Sequence, residues 1–206
     1  MSELNAARVS LTVVEIDPRI EETARRFFGF TLPHERIRIA DGRAFLERDD
    51  ALYDFVCMDA FLGEDVPGHL YTREAFAAMR RRLAPGGLLA LNYTSLPTGR
   101  DVQSVARTLR AVFPHVRVFT DGSASTDLAS NILLASAKPI TFTGSDSTDS
   151  SVQLFLANEA RDPPEGGRVL TDDYNPLNAY RLGANRLWRA QMIRYVGKDW
   201  GYWADF

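Results

Sequence analysis

The residues best suited to chemistry are carboxylates that recur at the ends of apolar runs: Glu15 in "VVEID", Asp41 in "RIADG" and Asp59 in "FVCMD". An acid at the carboxyl end of a buried strand stands where an open α/β sheet binds its ligand. Glu15 is placed as an acid that accepts hydrogen bonds from two ribose hydroxyls. Asp41 can accept from an exocyclic amine such as adenine carries, and Gly42 beside it lets a flat ring approach the backbone. Each acid also has a simpler reading. Asp17, just before Pro18, reads as a helix N-cap, and Asp41 with Gly42 as a plain turn. Recurrence at three successive strand ends favours one shared crevice.

The elements that must position these acids alternate along the chain. A β-rich run over 10–16 leads through Pro18, a suitable first helical residue, into a helix closed by Gly29. Short strands follow at 36–40 and 53–59, with a short helix, "GRAFLER", between them. The apolar run "YDFVCMD" predicts a strand buried on both faces. Thr72 caps a helix over 72–83 whose Ala75, Phe76, Met79 and Leu83 share one face. "PGGLLALNY" predicts a turn and strand, "DVQSVARTLRAVF" a helix and "HVRVFT" a strand. The strand 129–137 follows without an intervening helix, so these last two strands are expected to be antiparallel neighbours. The pattern predicts an α/β fold: a doubly wound, mostly parallel sheet with helices on both faces and a C-terminal antiparallel hairpin. A nucleoside-binding domain over 1–140, a polar linker over 141–151 and a helical, aromatic extension over 152–206 complete the expected organisation. Trp188, Trp200 and Trp203 in that extension call for cover by the domain or a partner subunit.

The 206 residues carry a net charge of −3. No global basic field is present to recruit nucleic acid or anionic lipid, and "RRR" at 80–82 reads as a solvated helix face. The single Cys57, between Val56 and Met58, excludes an internal disulfide. It predicts a small core residue in a reducing, cytoplasmic setting. No apolar run approaches the roughly 18 residues of a spanning helix, and the N-terminus lacks the pattern of a signal peptide. His34, His69 and His115 lack metal-ligand spacing. Without a "GxSxG" elbow, a hydrolase is not expected.

Taken in order, "VVEIDP", "DGRAFL", "YDFVCMDAF", "HLYTREAF" and "LAPGGLLALN" resemble the polyamine aminopropyltransferases. These are spermidine synthase-like members of the fold shared with S-adenosylmethionine methyltransferases. "DAFLGEDVPGHLYTREAF" and "LTDDYNPL" are similar to a bacterial branch in which this domain is often fused to membrane segments. The resemblance covers about residues 9–140 and, locally, 170–178.

It implies a donor, decarboxylated S-adenosylmethionine or S-adenosylmethionine itself, with no metal. Glu15 with Ile16 would hold the ribose, Asp41 and Gly42 the adenine, and Ala60 would line the same site. Asp59 would position and deprotonate the attacking amine in a crevice that excludes water. Tyr71 would line the amine channel, and Asp173 would close over it or cap a turn. The second acid expected three residues after Asp59 is replaced by Leu62, leaving Glu64 or Asp65 to substitute. The resemblance also places a first strand and a glycine-rich loop upstream of "VVEID", where "MSELNAARVSLT" has no glycine; the fold is therefore expected to be N-terminally incomplete. A small-molecule amine is the implied substrate and a homodimer the implied assembly. A methyltransferase and a degenerate interaction domain remain the competing readings.

Overall fold

The computed structural model describes residues 9–121, 128–142, 150–160 and 166–196. Trp200, Trp203, residues 1–8 of the leader, most of the loop "DGSASTD" and most of the expected linker lie outside the described residues. The chain divides into two compact units, Met1–Asp50 and Ala51–Phe206.

In the first unit β1 (Val13–Glu15) pairs in parallel with β2 (Ile37–Ile39), Glu15 opposite Ile39. The strand is shorter than the apolar run 10–16 suggests. Helix α1 (Pro18–Phe28) begins as expected. The Asp17 carboxylate accepts from Arg19 N at 2.9 Å and Pro18 takes the first position. It ends at Gly29, whose φ of 65° is open to glycine and costly for a residue with a Cβ. Helix α2 (Gly42–Arg48) follows β2 directly.

The second unit is built on a four-stranded sheet of β3 (Tyr53–Met58), β4 (Leu83–Ser95), β5 (His115–Thr120) and β6 (Ala129–Ser136) in the order β3-β4-β6-β5. β3 and β4 are parallel. β6 runs against both β4 and β5, so the expected antiparallel pair forms with β6 in the interior of the sheet. Alternation along β4 sends Leu89, Leu91, Tyr93 and Ser95 to one face, all fully buried. Helices α3 (Arg73–Arg82) and α4 (Arg100–Arg110) contribute Phe76, Met79, Val102, Val105 and Leu109 to the buried core. Each such aliphatic or aromatic side chain contributes about 1.5–3 kcal/mol on leaving water. On the opposite face Ala90, Leu134 and Phe119 pack with Phe155 of α5 (Ser150–Ala157), whose ring stacks on Phe119 at 4.3 Å. Helices on both faces of a mostly parallel sheet match the predicted fold class.

One strand departs from expectation. Asp54, Phe55 and Cys57 of β3 are exposed, Phe55 to 53%. Cys57 is therefore a surface residue and not part of the core. Among the described residues β3 is the edge of its sheet, paired along one side, and an apolar run reads the same at an edge as at the centre.

The chain beyond α5 folds back over α4 and α3. Gly167, at φ 66°, passes so close to α4 that an added Cβ would stand 2.4 Å from Ser104 N. Leu170 N donates to Thr108 Oγ1 and Arg73 N to Leu170 O. Helices α6 (Leu177–Tyr180) and α7 (Leu182–Val196) complete the unit. No helix among the described residues is long and apolar enough to cross a membrane.

Candidate active site

In the first unit Glu15 and Asp41 come to adjacent strand ends, since Glu15 pairs with Ile39 two residues before Asp41. Glu15 Oε1 accepts from Asp17 N at 2.9 Å, which fixes the carboxylate at the turn. Asp41 caps α2, its Oδ1 accepting from Ala44 N at 2.9 Å. The capping reading of Asp41 thus holds structurally. A Cβ on Gly42 would meet nothing within 4 Å. Ile16, 62% exposed, follows β1.

In the second unit Asp59 follows the carboxyl end of β3 and is exposed rather than enclosed, so the expected exclusion of water is not present here. Its Oδ1 accepts from Asn92 Nδ2 at 3.0 Å. Ala60 beside it is half-buried. Tyr71 is fully buried at the end of the turn Gly68–Leu70, edge to face with Tyr93 at 5.4 Å and with Phe76 at 6.4 Å. Burial pushes the Tyr71 phenol far above its ordinary pKa; the Arg181 guanidinium opposes the shift and Asp59 adds to it. Three buried side-chain polar atoms among the described residues lack a hydrogen-bond partner: Tyr71 OH, Asn92 Oδ1 and Arg181 Nε. Asn92 holds Asp59, and Tyr71 interacts electrostatically with both Asp59 and Arg181. Buried polar atoms are almost always paired; of these three, Asn92 Oδ1 belongs to the amide that holds the Asp59 carboxylate, and Arg181 Nε faces Asp65.

Arg181 organises the other side of this region. Its side chain is 3% exposed, and it donates to Thr94 O at 3.1 Å and to Glu64 O at 2.9 Å. Its Nε lies 3.2 Å from Asp65 Oδ1, an ion pair out of line for a hydrogen bond, and Nη1 lies 3.7 Å from Asp101. The guanidinium stands over the Tyr93 ring at 4.9 Å. Burial disfavours its charge, but Tyr93, Asp101 and Asp65 outweigh that and raise its pKa. Burial, seconded by Asp101, also raises the pKa of Tyr93. A cavity of about 190 Å³ opens beside Arg181, walled by Phe61, Glu64, Thr94, Leu128 and Trp188 among others.

Of the two acids offered as substitutes at the Leu62 position, Asp65 is paired with Arg181 and Glu64 with Arg189. Asp173 is exposed in the turn Thr171–Tyr174 and does not line the cavity. Its neighbour Asp172 ties that turn to α3 by accepting from Thr72 Oγ1 at 2.8 Å. Asn92 and Arg181 were not singled out in the sequence. Asn92 carried a signal, a lone amide inside the apolar strand "LLALNY"; Arg181 carried none.

Comparison with known proteins bears on the fold and on the chemistry of this neighbourhood. The chain is 30% identical over 183 residues to a polyamine aminopropyltransferase of Vibrio vulnificus, covering 82% of this chain and 60% of that protein. It superposes on a probable spermidine synthase from Corynebacterium glutamicum with a TM-score of 0.59 and 24% identity, over 78% of this chain and 64% of the other. The chain is spermidine synthase-like, with a class I methyltransferase-like fold. The same spermidine synthase-like fold is shared with human methyltransferase-like protein 13, determined in complex with SAH, at TM-score 0.51 and 26% identity. That match covers 70% of this chain and 67% of the human one. The spermidine synthase-like chain spans about three fifths of the length of its Vibrio relative. No protein-family profile matches it.

Proposed function

We propose that this chain is the transferase domain of an aminopropyltransferase, moving an aminopropyl group from decarboxylated S-adenosylmethionine to an amine. The observation that carries the reading is the Asp59 carboxylate at the end of β3, held by Asn92 Nδ2 while Asn92 Oδ1 makes no hydrogen bond among the described residues. An alkylammonium has three N–H donors, and the Asp59 carboxylate and the Asn92 amide oxygen supply acceptors for it.

The amine must lose a proton before it can attack. Asp59 accepts that proton, and Asn92 keeps the carboxylate turned toward the nitrogen. The free lone pair then attacks the carbon beside the sulfonium and displaces the sulfur: the N–C bond forms, the C–S bond breaks, and its electron pair neutralises the sulfur. Holding nitrogen and carbon in line supplies much of the acceleration. Glu15 and Ile16 are assigned to the ribose, Asp41 and Gly42 to the adenine, and Ala60 to the donor's contact beside Asp59. Asp173 is retained only as a substrate contact of the closed turn.

The test compares decarboxylated S-adenosylmethionine with S-adenosylmethionine on the full-length chain, using putrescine and simple amines as acceptors. Aminopropyl transfer that falls about 10²–10⁴-fold in Asp59→Asn supports the proposal. Transfer unchanged by that substitution sinks it. A second reading, methyl transfer, draws on the likeness to the SAH-bound human protein and on the engagement of Asp65 by Arg181. Methyl rather than aminopropyl transfer in the same assay would establish it.

A further inference from the structure

Arg181 sits in a site built for a cation. Two carboxylates face it, Asp65 at 3.2 Å and Asp101 at 3.7 Å. Two carbonyls, of Thr94 and Glu64, accept from it. An aromatic face, Tyr93, lies under it at 4.9 Å. Carboxylate, carbonyl and ring face are the groups that bind an alkylammonium as readily as a guanidinium. In this chain the protein's own cation fills the place.

The place adjoins the proposed acceptor site. Thr94, whose carbonyl holds Arg181, is two residues along β4 from Asn92, which holds Asp59, and the Tyr71 phenol interacts electrostatically with both Arg181 and Asp59. Two residues along a strand span about 7 Å, the reach of a short alkane chain. The cavity beside Arg181 is lined by Phe61, Leu128, Ala184 and Trp188 and equally by Gly63, Glu64, Thr94 and Arg181 itself. Glu64, its one carboxylate, is paired with Arg189. A ligand tail entering it meets apolar side chains, polar groups and a guanidinium. Among the described residues that line it, no carboxylate is left without its own cation.

We infer that Arg181 takes the position a diamine's second ammonium would occupy, so that the acceptor is a monoamine, or an amine whose far end carries no positive charge. The inference rests on the proposed amine site at Asp59 and sharpens it: Asp59 serves the reacting nitrogen, and Arg181 screens out a second cation.

The experiment measures binding of butylamine and of putrescine, molecules of like length that differ in the second amino group, to the full-length chain saturated with methylthioadenosine. Titration calorimetry is expected to find the two within about threefold, or butylamine the tighter. Arg181→Gln, which removes the charge and keeps most of the side chain's bulk, is expected to raise putrescine affinity at least tenfold relative to butylamine. A merely structural Arg181 would not move that ratio. A tenfold wild-type preference for putrescine overturns the inference while leaving the amine site standing, and needs no variant to be read. Failure of both amines to bind a chain that holds methylthioadenosine overturns the amine site itself, and this inference with it. An unchanged ratio in Arg181→Gln that folds also overturns the inference.

Discussion

Asp101→Asn tests whether Arg181 is held by charge. Asp101 is 2% exposed; its Oδ2 accepts from Ser95 Oγ at 2.5 Å and from Tyr93 OH at 3.2 Å, and faces the Arg181 guanidinium at 3.7 Å. At an effective dielectric near 20, opposite charges at that separation attract by about 4.5 kcal/mol. The asparagine still accepts from both hydroxyls, Arg181 keeps Asp65, and a buried carboxylate no longer has to be desolvated. These offsets leave an expected loss of about 2–3 kcal/mol, toward the low end for a broken buried pair. Urea unfolding followed by circular dichroism reads the loss, and a double-mutant cycle with Arg181→Met isolates the part due to the pair. A coupling energy below about 0.5 kcal/mol would refute the view that charge, and not packing alone, fixes Arg181.

Tyr71 and Tyr93 predict an alkaline limit, because burial raises both phenols above the ordinary value near 10. The folded chain holds those protons more tightly than the unfolded one, so the stability they confer is intact below about pH 10 and is lost as pH rises through the folded values. Thermal melts across that range should fall only above it, with phenolate absorbance of both residues appearing together with unfolding; two phenols ionising freely at their ordinary pKa in the folded chain would contradict this. Thr72→Val removes the hydroxyl that accepts from Ala75 N at 3.2 Å and donates to Asp172 at 2.8 Å. A loss of about 1–2 kcal/mol is expected, with faster amide exchange in both α3 and residues 170–174; exchange changed in α3 alone would show that the turn is held elsewhere.

The sequence spoke clearly where the physics is local. Asp17 and Thr72 cap helices through backbone groups two and three residues away, and Gly29 ends α1 for a reason written in its own φ. The class of fold followed from the alternation of apolar runs and amphipathic segments. Burial was less legible: Cys57 and Phe55 belong to an apolar run, and only the strand order reveals that the run lies at an edge. Within the site, Asp59 was readable as a strand-end acid, and Asn92 was visible in principle as a polar residue in an apolar strand. Asp65 looked free for substrate because its partner is distant in sequence. Arg181 reaches back 117 residues to Glu64 and 87 to Thr94, and no spacing rule in a single sequence announces such a contact.

The interior place of β6 sets a timetable for synthesis. β4 pairs with β6 along its second edge from Leu88 opposite Ser136 to Ser95 opposite Ala129. Yet β6 leaves the ribosome about forty residues after β4. At 5–20 residues per second, the run "LLALNY" waits roughly 2–8 s with that edge unpaired. An unpaired apolar strand edge recruits other chains. Slower expression at reduced temperature, or added holdase chaperone, should therefore decide how much of the newly made chain escapes aggregation.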